Sequence, residues 1–250
     1  MMDFTGRHVV VTGASTGIGR ATAEKILSRG GKVTAIARSR DKLEAMRAAH
    51  GEAIHAVSAD VGDAAALDGA LGRAEAFAPI DGLFCNAGIG GTFAPLEAYT
   101  DANFDALMAV NMFAHFRSVR QVFPAMKARG RGAIVITGSL ASERGMAMNV
   151  AYVMSKHAVL GLARAAALEG APFGVRVNCL VPGFIDTPLM EDIPPEQLAH
   201  LAGNVPQARL GSADETANVA AFLLSDEASH VTGQSWAVDG GVLGTLAVRR

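Results

Sequence analysis

The sequence predicts an α/β fold, a single doubly wound domain of about seven mostly parallel strands with helices on both faces. Short runs of β-branched apolar residues alternate along the chain with longer segments whose apolar residues recur at helical spacing. Most of the predicted strands are apolar on both faces, which is typical of a parallel sheet that is covered on each side. No internal repeat or linker-like shift in composition divides the chain, so we expect one domain over residues 1–250.

The predicted strands follow the β-branched runs, and glycines mark several of the turns between elements. The predicted strands are residues 8–12, 32–37, 54–59, 83–85, 133–137, 175–181 and 235–238. The predicted helices are residues 20–28, 41–50, 64–77, 103–128, 152–170 and 214–224. Gly30 and Gly31 end the first helix, as glycine commonly does, and Gly130 and Gly132 separate the long fourth helix from the next strand.

The segment 182–206 interrupts the alternation, because it is rich in proline and less regular. A loop of that length in a compact domain is either functional or disordered. Its apolar residues favour a lid that covers an apolar ligand. These residues are Phe184, Ile185, Leu189, Met190 and Ile193.

The composition excludes several classes of protein. Half of the 250 residues are hydrophobic, 18% are charged, and the net charge is −2, so we expect a sizeable core and neither nucleic acid nor a membrane as partner. Cys85 and Cys179 lie in predicted strands, which favours buried thiols over a disulfide or a metal site. No apolar signal segment stands at the start, and no run reaches the ~20 apolar residues of a membrane span. The expected location is cytoplasmic, and no metal is predicted.

The first βα turn has the features of a phosphate-binding site. Free backbone N–H groups and the positive end of the helix dipole attract a phosphate at such a helix start. Gly13 permits the tight turn, Gly17 the close approach of the backbone, and Gly19 the packing of helix on strand. The spacing G-x-x-x-G-x-G differs from the common fingerprint G-x-G-x-x-G, and a plain βα connection is the alternative. The position, at the first βα turn of a doubly wound pattern, favours a nucleotide.

The end of the second strand indicates which nucleotide binds. An acidic residue there would accept hydrogen bonds from a ribose 2′-hydroxyl, whereas a basic residue accommodates a 2′-phosphate. Arg38 occupies this position. We therefore predict NADP(H) in preference to NAD(H), with NAD(H) still possible and a solvated arginine as the alternative.

One stretch combines groups suited to proton transfer. Ser139 follows the fifth predicted strand, and Tyr152 and Lys156 lie four positions apart on one face of the next helix. The ammonium group of Lys156 would favour the phenolate form of Tyr152 and so make it a useful acid or base. The alternative is a surface helix that carries both residues without function.

Taken together, the motifs resemble those of the short-chain dehydrogenase/reductase family in its compact form, from about Arg7 to Gly241. Ser139 precedes Tyr152 by 13 positions, which is the usual interval in that family. The motifs that carry the resemblance are Thr12-Gly13-x-x-x-Gly17-x-Gly19, Asn86-Ala87-Gly88, Asn111, Ser139, Tyr152-x-x-x-Lys156, and Pro182-Gly183 followed by Thr187. One departure is Thr137-Gly138-Ser139, which stands in place of a common Ser-Ser pair.

The resemblance implies a role for each matching residue. Tyr152 would be the general acid in carbonyl reduction, Lys156 would assist it and hold the nicotinamide ribose, and Ser139 would bind the substrate oxygen. Asn111 would support a water chain that leads to Lys156. The cofactor-binding residues implied are Gly13, Ser15, Thr16, Gly17, Ile18, Gly19, Arg38, Asp60, Val61, Asn86, Ala87, Gly88, Tyr152, Lys156, Pro182, Gly183, Ile185 and Thr187.

The expected substrate is a small or medium, mostly apolar ketone or secondary alcohol. Its pocket would be lined by apolar, pliable side chains after Ser139 and in the lid. These are Leu140, Met146, Met148, Phe184, Leu189 and Met190. Glu143 and Arg144 could add polar contacts, or could simply be solvated. A 3-oxoacyl thioester reductase is the alternative, although no basic cluster suggests a carrier protein.

The family also implies a homotetramer, or a dimer, built from the two long helices. A monomer would bury similar apolar stripes against its own sheet, so the pattern leaves both open. A nucleotide-binding regulator without catalysis is a further alternative, but it should have lost one of the residues that the chain retains. These are Asn111, Ser139, Tyr152 and Lys156.

Overall fold

The computed structural model describes residues 2–245. Its strands are β1 (His8–Thr12), β2 (Lys32–Ala37), β3 (Ile54–Ser58), β4 (Gly82–Cys85), β5 (Gly132–Thr137), β6 (Val175–Pro182), β7 (Ile185–Asp186), β8 (Gly211–Ser212) and β9 (Ser235–Val238). Its α-helices are α1 (Gly17–Leu27), α2 (Arg40–His50), α3 (Ala64–Phe77), α4 (Asp101–Met108), α5 (Ala114–Arg129), α6 (Val150–Gly170), α7 (Pro195–Gly203) and α8 (Ala213–Leu224).

Seven strands form one sheet in the order β3-β2-β1-β4-β5-β6-β9, and every pair in it is parallel. This confirms the doubly wound α/β prediction. Successive side chains of a strand point to opposite faces, and β1 illustrates the result. Val10 packs into the core on one face, while Val9 and Val11 pack into the core on the other. Both faces are thus covered by helices, which explains the continuous apolar character of the strands.

The order of the strands reverses beside β1, where the chain passes from the β1-β2-β3 half to β4 on the other side. Ligands of doubly wound sheets bind at this reversal, outside the carboxyl ends of the strands. Within residues 2–245, no helix is both long and apolar enough to cross a membrane. The two cysteines, Cys85 and Cys179, are free and buried.

Two predicted elements differ from the structure. The predicted helix 103–128 is divided, because a π-helical turn (Ala109–Phe113) separates α4 from α5. The first helix begins at Gly17 rather than at residue 20, so the glycine-rich turn itself contains the helix start. Both differences lie at the predicted site, and π-turns inside helices frequently mark functional sites.

The segment 182–206 is more regular than the sequence predicts. It contains β7, a 3₁₀ turn (Pro188–Met190) and helix α7, whose first residue is a proline, a position where proline is tolerated. β7 pairs with β8, which fixes both ends of the segment. Beside β8, Arg209 donates two hydrogen bonds to the carboxylate of Glu215, at 2.9 and 2.6 Å.

Candidate active site

Asn86 joins the carboxyl ends of three neighbouring strands. Its side-chain Nδ2 donates to the carbonyl oxygen of Thr12 at the end of β1 (3.2 Å), and its Oδ1 accepts from the hydroxyl of Thr137 at the end of β5 (3.4 Å). The Thr12 hydroxyl in turn accepts from the backbone N–H groups of Asn86 and Ala87, at 2.9 and 3.1 Å. These bonds hold the carboxyl ends of β1 and β5 and the start of the loop after β4 together. Both Thr12 and Asn86 contribute hydrogen bonds to this edge of the sheet.

The turn after β1 leaves no room for a side chain at Gly13 or Gly19. A Cβ atom added at Gly19 would lie 2.3 Å from the carbonyl oxygen of Gly13 and 2.6 Å from Nδ2 of Asn86. At Gly13, where φ is +68°, an added Cβ would lie 2.9 Å from Cα of Ala87. The glycines are therefore required by close backbone approach and, at Gly13, by a left-handed conformation.

The start of α1 has the geometry of an anion site. Its N-cap, Thr16, makes no side-chain cap hydrogen bond, and the first turn holds no acidic residue. The N-cap of α3, in contrast, is Asp63, whose carboxylate accepts from two backbone N–H groups. The side chain of Thr187, in the segment 182–206, lies 3.3 Å from where a Cβ of Gly17 would stand. An uncapped helix start at this position fits the diphosphate of a dinucleotide.

Lys156 is buried, with 3% of its surface exposed, so its side chain does not lie on a solvent-facing side of the helix. Its Nζ donates to the carbonyl oxygen of Thr137 at 2.9 Å and lies 5.6 Å from the ring centroid of Tyr152. A Cβ added at Gly88 would lie 3.8 Å from the same nitrogen. Helix α6 therefore brings both predicted residues to the strand ends, and Gly88 leaves the ammonium group uncovered on one side.

Ser139 stands two residues beyond β5, at the turn into the next segment. Its backbone N–H donates to Oγ of Ser142 at 3.1 Å, and its own Oγ accepts from the N–H of Ala141 at 3.2 Å. The hydroxyl hydrogen of Ser139 is therefore left to donate elsewhere. Gly138 is needed because a Cβ there would lie 2.8 Å from Sγ of Cys179, which explains the departure from a Ser-Ser pair.

Asn111 lies in the π-turn and is completely buried. Its amide makes two hydrogen bonds to one residue: Oδ1 accepts from the N–H of Ile89, and Nδ2 donates to the carbonyl oxygen of Ile89, each at 2.9 Å. A Cβ added at Gly88 would lie 3.5 Å from Oδ1. The side chain thus fixes the loop after β4 beside Lys156.

His115 and Asn149 are site residues that the sequence motifs do not include. His115 is 1% exposed, and its Nε2 lies 2.9 Å from the carbonyl oxygen of Ala87. Burial, helped by the charge of Lys156, lowers the pKa of His115 to about 3, so the imidazole is neutral and donates to that carbonyl. Asn149 caps α6 at Tyr152. The sequence does not reveal the role of either residue, because each side chain bonds to the loop after β4, which is distant in the chain.

The remaining predicted cofactor residues lie at the same edge of the sheet. Arg38 is exposed just beyond β2. Asp60 follows β3, where its Oδ1 accepts from the N–H of Gly62 at 2.9 Å, and Val61 is buried beside it. The others lie in the first βα turn, in the loop after β4, or in the segment that begins at the end of β6. They are Ser15, Ile18, Ala87, Gly88, Pro182, Gly183 and Ile185.

All six predicted substrate residues lie in the segment after Ser139 or in the first half of the segment 182–206. Leu140 and Met190 are partly exposed, and Met146, Met148 and Leu189 are exposed by 40, 48 and 57%. Leu189 reaches within 3.8 Å of where a Cβ of Gly90 would stand, so the segment 182–206 contacts the loop after β4.

Phe184 is placed differently from the other predicted substrate residues. It lines a separate cavity of about 330 Å³ with Val205, Val238 and Asp239, between the lid and the last strand.

Glu143 is partly buried and Arg144 is exposed, and each side chain makes a hydrogen bond to the last part of the described chain. Oε1 of Glu143 accepts from the hydroxyl of Ser235 at 2.6 Å, and Arg144 donates to the carbonyl oxygen of Leu243 at 3.4 Å. Both side chains tie the segment after Ser139 to the end of the described chain.

A larger cavity, of about 520 Å³, opens at the amino ends of the strands, away from this site. Four of its charged side chains form two ion pairs, Arg7 with Asp226 and Arg131 with Asp81, the latter at 2.9 Å. Within residues 2–245, no cluster of three or more histidine, cysteine or acidic side chains could hold a metal.

Comparison with known proteins gives one consistent picture. A family model described as enoyl-(acyl carrier protein) reductase matches residues 13–243. Levodione reductase of Leifsonia aquatica is 37% identical over 95% of this chain and 94% of its own. A crystal structure of a levodione reductase superposes with a TM-score of 0.91 and 36% identity, covering 95% of this chain and 98% of that one.

Two further proteins are similar over nearly the whole chain. The 3-oxoacyl-[acyl-carrier-protein] reductase FabG of Escherichia coli (strain K12) is 35% identical over 96% of this chain and 99% of its own. A crystal structure from Beutenbergia cavernae, assigned as an NAD(P)-dependent gluconate 5-dehydrogenase with NADP bound at low occupancy, has a TM-score of 0.91 and 36% identity, covering 97% of this chain and 99% of that one.

Proposed function

The chain belongs to the short-chain dehydrogenase/reductase family and is an NAD(P)-dependent oxidoreductase of ketones and alcohols; from this premise we propose that Tyr152 transfers the proton, with Ser139 and Lys156 beside it. The cofactor, when bound, supplies or accepts the hydride. The observation that carries the proposal is the burial of Lys156 beside the ring of Tyr152. Within residues 2–245, no carboxylate forms an ion pair with this ammonium group.

A buried ammonium group without a carboxylate partner is costly. Its charge is therefore available to stabilise a negative charge that develops nearby, here the phenolate of Tyr152. In reduction, Tyr152 gives its proton to the substrate oxygen while the hydroxyl of Ser139 donates a hydrogen bond to the same atom. In oxidation, the phenolate removes the proton from the alcohol.

We propose an orientation of the cofactor from the residues that would hold it. The uncapped start of α1 with Gly13 and Gly17 would bind the diphosphate, Asp60 and Val61 the adenine, and Thr187 the carboxamide. Lys156 would hold the nicotinamide ribose next to Gly88. In this arrangement Asn111 acts through Ile89, by fixing the loop along which the ribose and the substrate would lie.

A mutant series tests the proton-transfer role. Tyr152→Phe should lower the rate of ketone reduction, followed by the absorbance of the reduced nicotinamide, by about 10²–10⁴-fold. Tyr99→Phe is the matched control, since Tyr99 is the other of the chain's two tyrosines and its hydroxyl makes no hydrogen bond within the described residues. A Tyr152→Phe enzyme with full activity would overturn the proposal, and a wild-type protein that reduces no ketone would favour the alternative of a non-catalytic regulator.

We propose that the substrate is a small or medium, mostly apolar ketone or secondary alcohol. The side chains near the entrance support this, because the lid and the segment after Ser139 present Leu140, Met146, Met148 and Leu189. The segments 88–105 and 182–206 contain seven acidic residues and no lysine or arginine. They are Glu97, Asp101, Asp105, Asp186, Glu191, Asp192 and Glu196.

An entrance framed by negative charge repels anionic partners. This disfavours the alternative, a 3-oxoacyl thioester reductase, whose substrate would carry phosphates or an acidic carrier. Initial rates with neutral ketones and with an acetoacetyl thioester separate the two, and we expect the neutral ketones to react faster. Turnover of thioesters alone would identify the alternative.

We propose NADP(H) as the preferred cofactor, on the strength of Arg38. Arg38→Asp should lower kcat/KM for NADPH by about 10–100-fold and leave that for NADH equal or higher, because a phosphate contact is replaced by repulsion. Arg47→Ala, an exposed arginine of α2 that pairs with Glu44, should change neither. A wild-type enzyme that prefers NADH would contradict the assignment.

We further propose a homotetramer, or a dimer, in a cytoplasmic setting. Exposed apolar side chains on the π-turn, α5 and α6 support self-association: Phe113, Phe116, Met154 and Leu168 are exposed by 42 to 79%. Free buried cysteines suit a reducing compartment. Light scattering should give a mass of several chains, and a monomer would contradict the proposal.

A further inference from the structure

Met148 and Asn149, the two residues before α6, have an unusual conformation. Met148 has a φ of +68° although it is not a glycine. A left-handed conformation is unfavourable for such a residue, and it persists where surrounding contacts demand it. The hydrogen bonds of Met148 and Asn149 explain why this conformation is kept.

Two hydrogen bonds run from this dipeptide to the loop after β4. The carbonyl oxygen of Met148 accepts from the N–H of Ala94 at 2.7 Å, and Nδ2 of Asn149 donates to the carbonyl oxygen of Gly90 at 2.6 Å. Between these two hydrogen bonds, the loop packs closely against Leu107 and Asn149. A Cβ added at Gly91, where φ is +73°, would lie 2.3 Å from Leu107 and 3.5 Å from Oδ1 of Asn149.

The same Asn149 side chain also fixes the helix that carries Tyr152. Its Oδ1 accepts from the backbone N–H of Tyr152 at 3.3 Å and so caps α6. With 1% of its surface exposed, Asn149 has no contact with bulk water that could substitute for either partner. One buried amide thus joins the proposed acid to Gly90, which meets Leu189 of the lid.

A simple cap would not need an amide. The caps of α3, α4 and α8 are Asp63, Thr100 and Ser212, and each of these side chains accepts hydrogen bonds from its own helix. At position 149 a donor is needed as well, and asparagine supplies donor and acceptor on a short stem.

We propose that Asn149 is a positioning residue, which sets the distance between Tyr152 and the substrate-facing loop, residues 89–94. This inference rests on the proposed role of Tyr152. The acceptor half of the amide holds the proton donor in place, and the donor half holds the wall of the substrate pocket. Asn111 makes two hydrogen bonds to the backbone of Ile89, so Asn149 and Asn111 together hold the loop at two positions.

The two halves can be separated by substitution. Asn149→Ser keeps a capping oxygen on a shorter side chain and loses the amide nitrogen that donates to Gly90, so we expect KM for the ketone to rise about tenfold while kcat stays within about twofold. Asn149→Ala loses both halves, so kcat should fall as well, by about tenfold. Binding of NADPH, measured by its fluorescence, should remain unchanged in Asn149→Ser and shows that this variant is folded.

Ile80→Val is the control for a purely structural effect. Ile80 is 1% exposed and precedes β4 at the opposite end of the sheet, so this variant should lower Tm without changing KM or kcat. The inference is overturned if Asn149→Ser has a wild-type KM, or if Ile80→Val changes KM as much. If Asn149→Ser behaves as wild type while Tyr152→Phe is inactive, this inference alone fails. If Tyr152→Phe is fully active, the proposed function fails, whatever Asn149→Ser does.

Discussion

His115 should make the protein sensitive to mild acid. Its imidazole is buried against the loop after β4, with Nε2 bonded to Ala87 and Nδ1 without a partner within the described residues. Protonation would place a second positive charge in the interior near Lys156. Burial is the main reason that the pKa of His115 falls to about 3, from an ordinary value of 6.5.

The sign of the effect follows from proton linkage. Because the folded pKa lies below the unfolded value, the unfolded chain binds more protons between about pH 3 and 6.5, and stability falls as pH decreases through that range. One pKa unit corresponds to about 1.4 kcal/mol. Acidification from about pH 6.5 to 5 should therefore cost about 2 kcal/mol through His115 alone, out of a total of about 5–15 kcal/mol for a typical domain.

The substitution His115→Gln isolates this contribution, because glutamine keeps an N–H donor and does not titrate. Urea denaturation at about pH 7 and about pH 5 gives the free energy of unfolding, and its loss on acidification should be about 2 kcal/mol smaller in His115→Gln than in wild type. The pKa values of His8 and His55 are also lowered by burial. Both residues are present in wild type and in His115→Gln, so their contributions cancel in the difference between the two proteins. His200→Gln, at an exposed residue of α7, should resemble wild type. If His115→Gln loses as much stability as wild type, the reasoning is wrong.

Two further predictions concern backbone positions. Gly19→Ala should raise the Kd for NADPH more than about tenfold and cost about 1–3 kcal/mol of stability, because its Cβ would lie 2.3 Å from the Gly13 carbonyl oxygen; a fluorescence titration with wild-type affinity would contradict this. Ala208→Gly should stabilise the fold by about 0.5–1 kcal/mol in urea denaturation, because exposed Ala208 has a φ of +54° that glycine adopts without strain; a lower stability would contradict it.

Local sequence patterns predict the strands and most helices of this protein, because β-branched runs and helical periodicity are properties of neighbouring residues. The predicted strands 32–37 and 235–238 and the helix 64–77 have the observed boundaries. The π-turn around Asn111 and the helix α7 are not predicted. The first depends on the bonds between Asn111 and Ile89, and the second begins at consecutive prolines that suggest a loop.

The site residues divide in a similar way. Gly13, Gly19 and Lys156 are visible in the sequence because their spacing reflects local geometry. Asn149 and His115 are not, because their partners, Gly90 and Ala87, come from a loop far away in the chain. A buried polar group is recognised only when its partner is known.

Transfer of a deuterium label tests the central claim most directly. NADPH that carries deuterium in place of both hydrogens at C4 of the dihydronicotinamide is incubated with a neutral ketone and the enzyme, and the alcohol is analysed by mass spectrometry. The account predicts one deuterium on the carbinol carbon with wild type and with Tyr99→Phe, and a rate about 10²–10⁴-fold lower with Tyr152→Phe. An unlabelled alcohol, or equal rates in wild type and Tyr152→Phe, would contradict it.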